Sequence, residues 1–239
     1  MSYANGPRIV TDGLVCCLDA ANRKSYAGSG STWKDLSGNS NDVTLYNGPA
    51  FSNDAGGCLI FDGIDDIIVG PSSLSGFVNS AMSIEIWTKP DDISQRTTLL
   101  SKWGRSSLGN FSWLLFLNWW TVGNIYFLVG NSSGNNYSQH YISHNLSISN
   151  YSHFAVTYDA GQVKMYRNGS LIGTSMSSYT SLKSVSTYLG IGHDYDTGVG
   201  DNVYRFYDGK IPRISINNVC LSDDKILQNY NATKGRFGL

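Results

Sequence analysis

The residues most suited to chemistry are three aspartates in one short segment, Asp62, Asp65 and Asp66. They lie in residues 58–69, where an Asp62-Gly63 pair joins two apolar runs and predicts a hairpin or a sharp corner. Carboxylate oxygens gathered in one turn are the hard ligands that Ca²⁺ prefers. Two interpretations stay open. Either the three aspartates bind Ca²⁺, or Asp62 caps the turn while Asp65 and Asp66 face water.

Two adjacent tryptophans and a polar loop form a second group with binding chemistry. Trp119 and Trp120 fall at the tip of a predicted hairpin, and the loop after the next strand includes Asn135, Asn136 and Tyr137. An aromatic ring can cover the apolar face of a sugar, while polar groups orient its hydroxyls, so this group predicts a glycan site. Tandem tryptophans near a strand end also suit a subunit interface or core packing, and these two interpretations stay open as well.

Candidate catalytic groups are few. The four histidines show no metal-ligand spacing such as HExxH and no nucleophile elbow, so we expect structural roles for them. They are His140, His144, His153 and His193. The four cysteines lack the spacing of a disulfide framework or a CxxC pair, which predicts buried free thiols, with the adjacent pair pointing to opposite faces of a strand. They are Cys16, Cys17, Cys58 and Cys220.

Composition argues against two classes of partner. Only 15% of the 239 residues are charged and the net charge is −1, whereas average proteins have about 25% charged residues. No basic run offers a footprint for nucleic acid, and no apolar run approaches the ~20 residues that span a membrane. The N-terminus lacks the regions of a secretory signal, so we expect synthesis in the cytoplasm without a signal peptide. The length suits a single domain over residues 1–239.

Short apolar runs between turn residues must position these groups. The Asn168-Gly169 pair is a strong hairpin signal, and we expect more than ten antiparallel strands, each with one set of alternating residues buried. Residues 111–118, FSWLLFLN, are apolar on both faces, which indicates either a covered outer side or a partner surface. Trp33 lies among turn formers and is expected to pin its loop to the core.

The two ends of the chain are predicted to meet. We expect the first strand, residues 14–18, to lie close to the last strand, residues 210–216. Beyond the last strand, residues 222–230 predict a short helix. Ser222 can cap this helix, and the acidic residues of its first turn suit the helix dipole.

Five sequence blocks, in this order, resemble the laminin-G-like branch of the concanavalin A-like lectin/glucanase superfamily. They are GLVCCLDAANRKSYAGSGSTWKDLSGNSND, GGCLIFDGIDDII, SIEIWTKP, SHFAVTYDAGQVKMYRNGSLIG and LSDDKILQNYNATKGRFGL. The opening NGPRIVTDGLV and the ending NYNATKGRFGL further resemble versions found in structural proteins of tailed phages. The resemblance implies an all-β fold, a two-sheet antiparallel β-sandwich of the jelly-roll type with a short C-terminal helix.

The superfamily contains both glucanases and lectins. A retaining glucanase of this type needs two nearby carboxyl groups, placed on one strand in a Glu-x-Asp-x-x-Glu pattern. Glu85 is the only glutamate of the chain and has no second acid on its strand, so we expect no enzyme. Lectin-like relatives often carry a structural Ca²⁺. This chain departs from the related Gly-Lys-Ile-Asp pattern with Pro212 in the last position, which indicates that an acidic partner from the last strand is missing.

Two functions follow from the resemblance. The first is a virion structural or decoration protein of a tailed phage, with other virion proteins or further copies of itself as partners and with surface glycans as possible ligands. The alternative is a carbohydrate-binding adhesin module of a bacterial surface protein. Fold resemblance alone does not separate the two functions.

Overall fold

The computed structural model describes residues 7–74, 80–104, 111–130, 136–194 and 206–239. These residues form sixteen β-strands, one α-helix and two 3₁₀ turns. In chain order the strands are β1 (Leu14–Asp19), β2 (Thr32–Trp33), β3 (Val43–Tyr46), β4 (Ala50–Ser52), β5 (Cys58–Asp62), β6 (Ile67–Val69), β7 (Ala81–Pro90), β8 (Thr97–Trp103), β9 (Phe111–Leu117), β10 (Asn124–Gly130), β11 (Tyr137–Ser143), β12 (Ser152–Asp159), β13 (Gln162–Arg167), β14 (Ser170–Met176), β15 (Gly190–Ile191) and β16 (Asp208–Asn217). The helix is α1 (Asp223–Thr233), and the 3₁₀ turns are Asp54–Gly56 and Lys234–Phe237.

The strands form two antiparallel sheets of eight strands. The first has the order β14-β13-β12-β7-β16-β5-β4, with β1 also paired to β16, and the second has the order β11-β10-β9-β8-β15-β6-β3-β2. The β1–β16 pairing confirms that the first and last strands lie together. The Asn168-Gly169 hairpin is confirmed between β13 and β14, with both residues at positive φ. The predicted all-β sandwich is therefore the observed fold.

Residues 62–66 form a corner between the sheets, not a hairpin. The strand before this turn, β5, belongs to the first sheet, and the strand after it, β6, belongs to the second. Gly63 has φ of +72°, a left-handed conformation that glycine adopts without steric cost. Both strands nevertheless contribute side chains to the same core, which lies between the sheets and includes Phe61 and Ile68.

The expectation of one buried parity per strand is wrong for the central strands. Every residue of β8 and β9 is buried, because both sheets are covered on their outer faces as well. The outer face of the second sheet carries an aromatic cluster that includes Phe116 and Tyr126, against which Trp119 and Tyr137 pack. The apolar segment 111–118 therefore has a covered outer side within the chain itself.

The helix α1 covers the outer face of the first sheet. Ile226 is fully buried there against Ala155 and Tyr166. Ser222 is the N-cap residue as predicted, but its side chain makes no capping hydrogen bond. The side chain of Asp223 instead accepts hydrogen bonds from Lys164 and Tyr166, at 2.9 and 2.8 Å, and ties the first turn to the sheet. No helix among the described residues has the length and apolar composition needed to cross a membrane.

The four cysteines are free thiols, and three of them are buried. Cys220 is exposed, so the expectation that all four are buried is wrong for this residue. Cys16 packs in the main core, whereas the thiol of Cys17 lies 3.6 Å from the guanidinium of Arg213. The two therefore point to opposite faces, as successive strand residues should. Trp33 is fully buried in the main core and anchors its loop as predicted.

Candidate functional site

The loop between β9 and β10 carries the two tryptophans and is anchored by one asparagine. The amide of Asn118 donates to the carbonyls of Ile93 and Gln95, each at 2.9 Å. Its side-chain oxygen accepts from the backbone N–H of Gly123 at 2.7 Å. Asn118 has φ of 60°, which asparagine tolerates better than most residues. These bonds fix both ends of the loop and join it to the segment before β8.

The two tryptophans of this loop differ in exposure. Trp120 is 70% exposed, whereas Trp119 is half-buried and packs edge-on against Phe116 at 4.6 Å. The guanidinium of Arg96 lies 3.4 Å from the centre of the Trp119 ring, within the range of a cation–π contact. The tip of the hairpin therefore presents one exposed indole supported by a fixed one.

The structure does not bring the predicted polar loop to these tryptophans. Tyr137 pairs with Gly130 at the far end of β10, about 20 Å from the tryptophan loop at ~3.3 Å per residue. The Tyr137 ring packs edge-on against Trp103 at 5.6 Å, so it serves the outer aromatic cluster. Asn136 is exposed beside it, and Asn135 lies outside the described residues.

The three aspartates of the corner turn do lie together. Each offers a carboxylate oxygen within 4.8 Å of the others, with Asp62 and Asp65 exposed and Asp66 buried. A side-chain oxygen of Asp62 accepts from the N–H groups of Ile64 and Asp65, at 2.8 and 3.3 Å. These bonds, led by that of Ile64, lower the pKa of Asp62. Asp62 therefore does cap the turn.

Asp66 does not face water, so the second interpretation is wrong for this residue. Its carboxylate is buried beneath the turn and accepts the Asp62 N–H at 3.0 Å, and burial raises the pKa of Asp66. The three carboxylates supply the hard oxygen ligands that Ca²⁺ prefers. Their oxygens lie close enough together to bind the same ion. They provide three of the six to eight ligands that Ca²⁺ takes. The three carboxylates are therefore chemically suitable ligands for Ca²⁺. The hydrogen bonds of Asp62 and Asp66 also give these residues a structural role in the turn that does not require an ion.

Sequence reasoning missed a carboxylate from the last strand. Asp208 on β16 pairs directly opposite Asp62. The last strand therefore does supply an acid, although it precedes the position of Pro212 where the related pattern has one. The chains approach so closely here that a Cβ on Gly63 would lie 2.8 Å from the Asp208 side chain. Burial, followed by the charges of Asp91, Asp92 and Asp62, raises the pKa of Asp208. Negative charge is therefore concentrated at this edge.

Three of these acids, Asp62, Asp92 and Asp208, line a cavity of about 240 Å³, which we call the acidic pocket. Its described lining consists of Asp62, Gly63, Asp92, Gln95, Arg96, Thr97, Phe206 and Asp208. Arg96 therefore belongs both to this pocket and to the cation–π contact with Trp119. Two groups that the sequence suggested separately, the aspartates and the tryptophans, thus adjoin through one arginine. No sequence motif marked Arg96, because its position depends on the fold of three distant segments.

The single glutamate, Glu85, lies on β7 in the first sheet. It is buried beneath α1, where its carboxylate accepts from the amide of Asn229 at 2.5 Å and lies 3.1 Å from His153 Nε2. Its hydrogen-bond partners among the described residues are thus an amide and a histidine, not the second carboxyl group that a retaining glucanase needs. The remaining histidines are buried, and burial lowers the pKa of each. They are His140, His144 and His193.

The two antiparallel sheets define the chain as a lectin-like β-sandwich. The family model described as the concanavalin A-like lectin/glucanases superfamily matches residues 62–227. The chain belongs to this family. No curated protein sequence matches it.

Several solved structures share the fold. The binding domain of botulinum neurotoxin serotype D is 16% identical with a TM-score of 0.68, over 92% of this chain and 52% of that one. The binding domain of Paraclostridial Mosquitocidal Protein 1 is 15% identical, TM-score 0.66, over 93% and 52%. The serotype D ligand-binding domain in complex with N-acetylneuraminic acid is 17% identical, TM-score 0.65, over 92% and 51%. The chain thus spans about half the length of these domains. These comparisons do not confirm the resemblance to tailed-phage proteins.

Proposed function

We propose that this domain is a carbohydrate-binding module whose glycan site is formed by the exposed Trp120 and the adjoining acidic pocket. The main observation behind the proposal is that Arg96 contacts Trp119 and also lines the acidic pocket. Its guanidinium lies 3.4 Å from the centre of the Trp119 ring, and the same residue lines the pocket of about 240 Å³. Arg96 therefore links the tryptophan loop to a polar cavity, and sugar recognition combines these two kinds of surface.

Each part of this surface has a distinct role. Trp120, 70% exposed, offers an apolar ring to the C–H face of a pyranose. The carboxylates of Asp62 and Asp208 accept hydrogen bonds from sugar hydroxyls, and the guanidinium of Arg96 donates them. Trp119 is held against Phe116, so it supports the site without a large loss of side-chain entropy on binding.

The charge of the acidic pocket indicates which class of glycan it would bind. The pocket combines three carboxylates, those of Asp62, Asp92 and Asp208, with one arginine. One structural neighbour was solved with N-acetylneuraminic acid, which supports glycan binding on this fold. The carboxylate of that sugar would meet net negative charge in the acidic pocket, and like charges repel. We therefore infer a preference for neutral sugars or amino sugars.

The test is a glycan array with the whole chain, followed by titration of the strongest ligand into variants. Trp120→Ala should weaken binding at least ~10-fold, because exposed aromatic anchors of this kind contribute about 2 kcal/mol. Tyr188→Ala is the matched control, since Tyr188 is also an exposed aromatic, at 45%, and does not line the acidic pocket. Loss of binding in both variants, or retention in both, would refute the site.

A structural role on a tailed-phage particle is the second candidate. It rests on the resemblance of the two chain ends, and the exposed Trp120 would then be a contact with another virion protein or with a second copy of the chain. Large aromatics are enriched in such interfaces. Light scattering on the same Trp120→Ala variant separates the functions: a change of assembly state favours the particle, and lost sugar binding without such a change favours the module.

A further inference from the structure

A second cavity, of about 80 Å³, lies at the other end of β8 from the acidic pocket. Its described lining contains two lysines, four serines and no carboxylate. The residues that matter for its chemistry are Ser72, Lys102, Ser112, Lys183 and Ser184. We call this cavity the basic pocket. It has no part in the glycan site proposed above.

Lys102 brings a buried positive charge into this pocket. Only 6% of it is exposed. It pairs in register with Trp113, a member of the main core, and directly opposed residues share one face of a sheet. Its ammonium donates to the carbonyls of Ser72 and Thr187, each at 2.5 Å. An ammonium has three donors, so these two bonds leave one for another acceptor.

This charge lacks a negative partner among the described residues. The two acceptors of Lys102 are neutral carbonyls, and burial lowers the pKa of Lys102 to about 8. A buried charge is costly unless it is paired. Lys183, which is half-buried, also lines the pocket. An anion in the pocket would compensate the charge of Lys102.

Two described residues that neighbour Lys102, though they do not line the pocket, have buried polar groups without a partner. Within the described residues, the hydroxyl of Thr187 and the indole N–H of Trp113 are buried and have no hydrogen-bond partner. Buried polar atoms usually have a partner in the protein or in ordered water. The hydroxyl of Ser112 donates to the carbonyl of Lys183 at 2.6 Å and so fixes the segment that contains Lys183. Lys102 and Ser112 are thus polar lining residues that hydrogen bonds hold in place.

We propose that the basic pocket binds a small oxyanion, namely a sulfate, phosphate or carboxylate group, held by Lys102 and Lys183 and by the serine hydroxyls. One water needs about 10–15 Å³ of such volume, so the pocket of about 80 Å³ has room for a group of several atoms. The same chemistry can come from a free ion or from an acidic group on a larger ligand. The bonds to Ser72 and Thr187 also make Lys102 a clamp between two segments, and the experiment must separate the two roles.

The experiment measures the melting temperature of the whole chain with sodium sulfate, phosphate or acetate, against sodium chloride at equal ionic strength. A bound anion raises the melting temperature, and at 100 times the dissociation constant the rise should be at least about 5 °C. Glucose 6-sulfate and glucuronate are tested in the same way. A larger effect of these than of the free ions indicates an oxyanion that belongs to a saccharide, and the reverse indicates a free ion.

Two variants assign the effect to the pocket. Lys102→Met keeps the volume and removes the charge, and should abolish the sulfate-dependent rise. Lys24→Met, at an exposed lysine elsewhere, is the matched control and should retain it. Lys183→Met leaves the buried clamp intact and should weaken sulfate binding several-fold, which keeps the proposal testable if Lys102→Met does not fold.

The proposal is overturned by either of two results. One is that none of these oxyanions raises the melting temperature of the wild-type chain beyond the chloride control. The other is that they stabilise Lys102→Met or Lys183→Met as much as wild type. A pure clamp would give the first result. Failure of this test would leave the glycan site untouched, because the two pockets share no described lining residue.

Discussion

The two ends of strand β8 carry opposite charge. Thr97 at the start of β8 lines the acidic pocket, and Lys102 near its end lines the basic pocket. Lys102 lies five positions after Thr97, about 17 Å along an extended strand. The acidic pocket gathers its charge from carboxylates that are half-buried or exposed, such as Asp208 and Asp62. The basic pocket relies on one lysine that is 6% exposed.

This difference shows that net composition is a poor guide to local electrostatics. A chain with net charge −1 and 15% charged residues still separates its charges across one strand. Water screens charges at the acidic pocket, where individual carboxylates contribute little to stability. Burial removes that screening at the basic pocket, so we expect the loss of a single lysine there to have a large effect on stability.

The largest expected effect comes from the strand geometry that presents Asp208. Gly209 has φ of +138°, and a Cβ there would lie 2.5 Å from the carbonyl oxygen of Lys89. Gly209→Ala should therefore lower the free energy of unfolding by about 3 kcal/mol through backbone strain and overpacking. Gly235→Ala is the control, since no atom lies within 4 Å of its added Cβ. Denaturant unfolding measures the stability of both variants, and equal stabilities would show that the backbone around Gly209 can relax.

The next effect tests whether the aspartates of the corner turn and the basic pocket select ions of opposite sign. The sequence-based prediction of Ca²⁺ at Asp62, Asp65 and Asp66 expects that EDTA lowers the melting temperature by a few degrees, since a saturating ligand stabilises by about 2–3 kcal/mol. Asp65→Asn should abolish this calcium effect and leave any sulfate effect in place, whereas Lys102→Met should do the reverse. An unchanged melt in EDTA would restrict the aspartates to their role in the turn.

A smaller effect concerns the pH dependence of stability at the basic pocket. Because burial lowers the pKa of Lys102 to about 8, the unfolded chain binds more protons than the folded chain between that pH and the normal lysine pKa of about 10.4. Stability should therefore rise with pH in this window. From pH 8 to 9.5 the rise in wild type should exceed that in Lys102→Met by on the order of 1 kcal/mol. Parallel stability curves would show that Lys102 keeps its proton.

The smallest effect concerns repulsion in the acidic pocket. Asp208 has a raised pKa, so its charged form is disfavoured in the folded state and Asp208→Asn should stabilise the chain at pH 7. The gain should stay below about 1 kcal/mol, because solvent screens the site. It should vanish near pH 3, where Asp208 is protonated in both states. Denaturant unfolding in EDTA measures both values, and a loss of stability at pH 7 would indicate that Asp208 has an unrecognised structural bond.

Sequence patterns predicted the parts of the fold that depend on local chemistry. The Asn168-Gly169 hairpin, the helix after Ser222 and the loop anchor Trp33 were all recognisable, because turn, cap and anchor residues act within a few positions of the chain. The corner at Asp62-Gly63 was only half predicted. The dipeptide accepts positive φ in a hairpin and in a corner alike, and the choice between them depends on which sheet receives β6.

The candidate sites were less predictable, because each joins side chains from distant segments. Asp208 and Arg96 reach the acidic pocket from different loops and strands, and Lys102 was not singled out because a lysine on a strand usually points to solvent. Both faces of β8 are buried, which is why the expectation of alternating exposure was wrong for this strand. A helix or an aromatic cluster covers each outer face, and neither cover is visible in the periodicity of the strand itself.

The most direct test of the account is an NMR titration of the indole N–H groups with the strongest ligand from the glycan array. The resonances of Trp119 and Trp120 should shift and saturate together, whereas those of the core residues Trp33 and Trp113 should stay in place. This result would locate the sugar at the surface beside the acidic pocket. A glycan that binds while the Trp119 and Trp120 resonances remain unchanged would contradict the account.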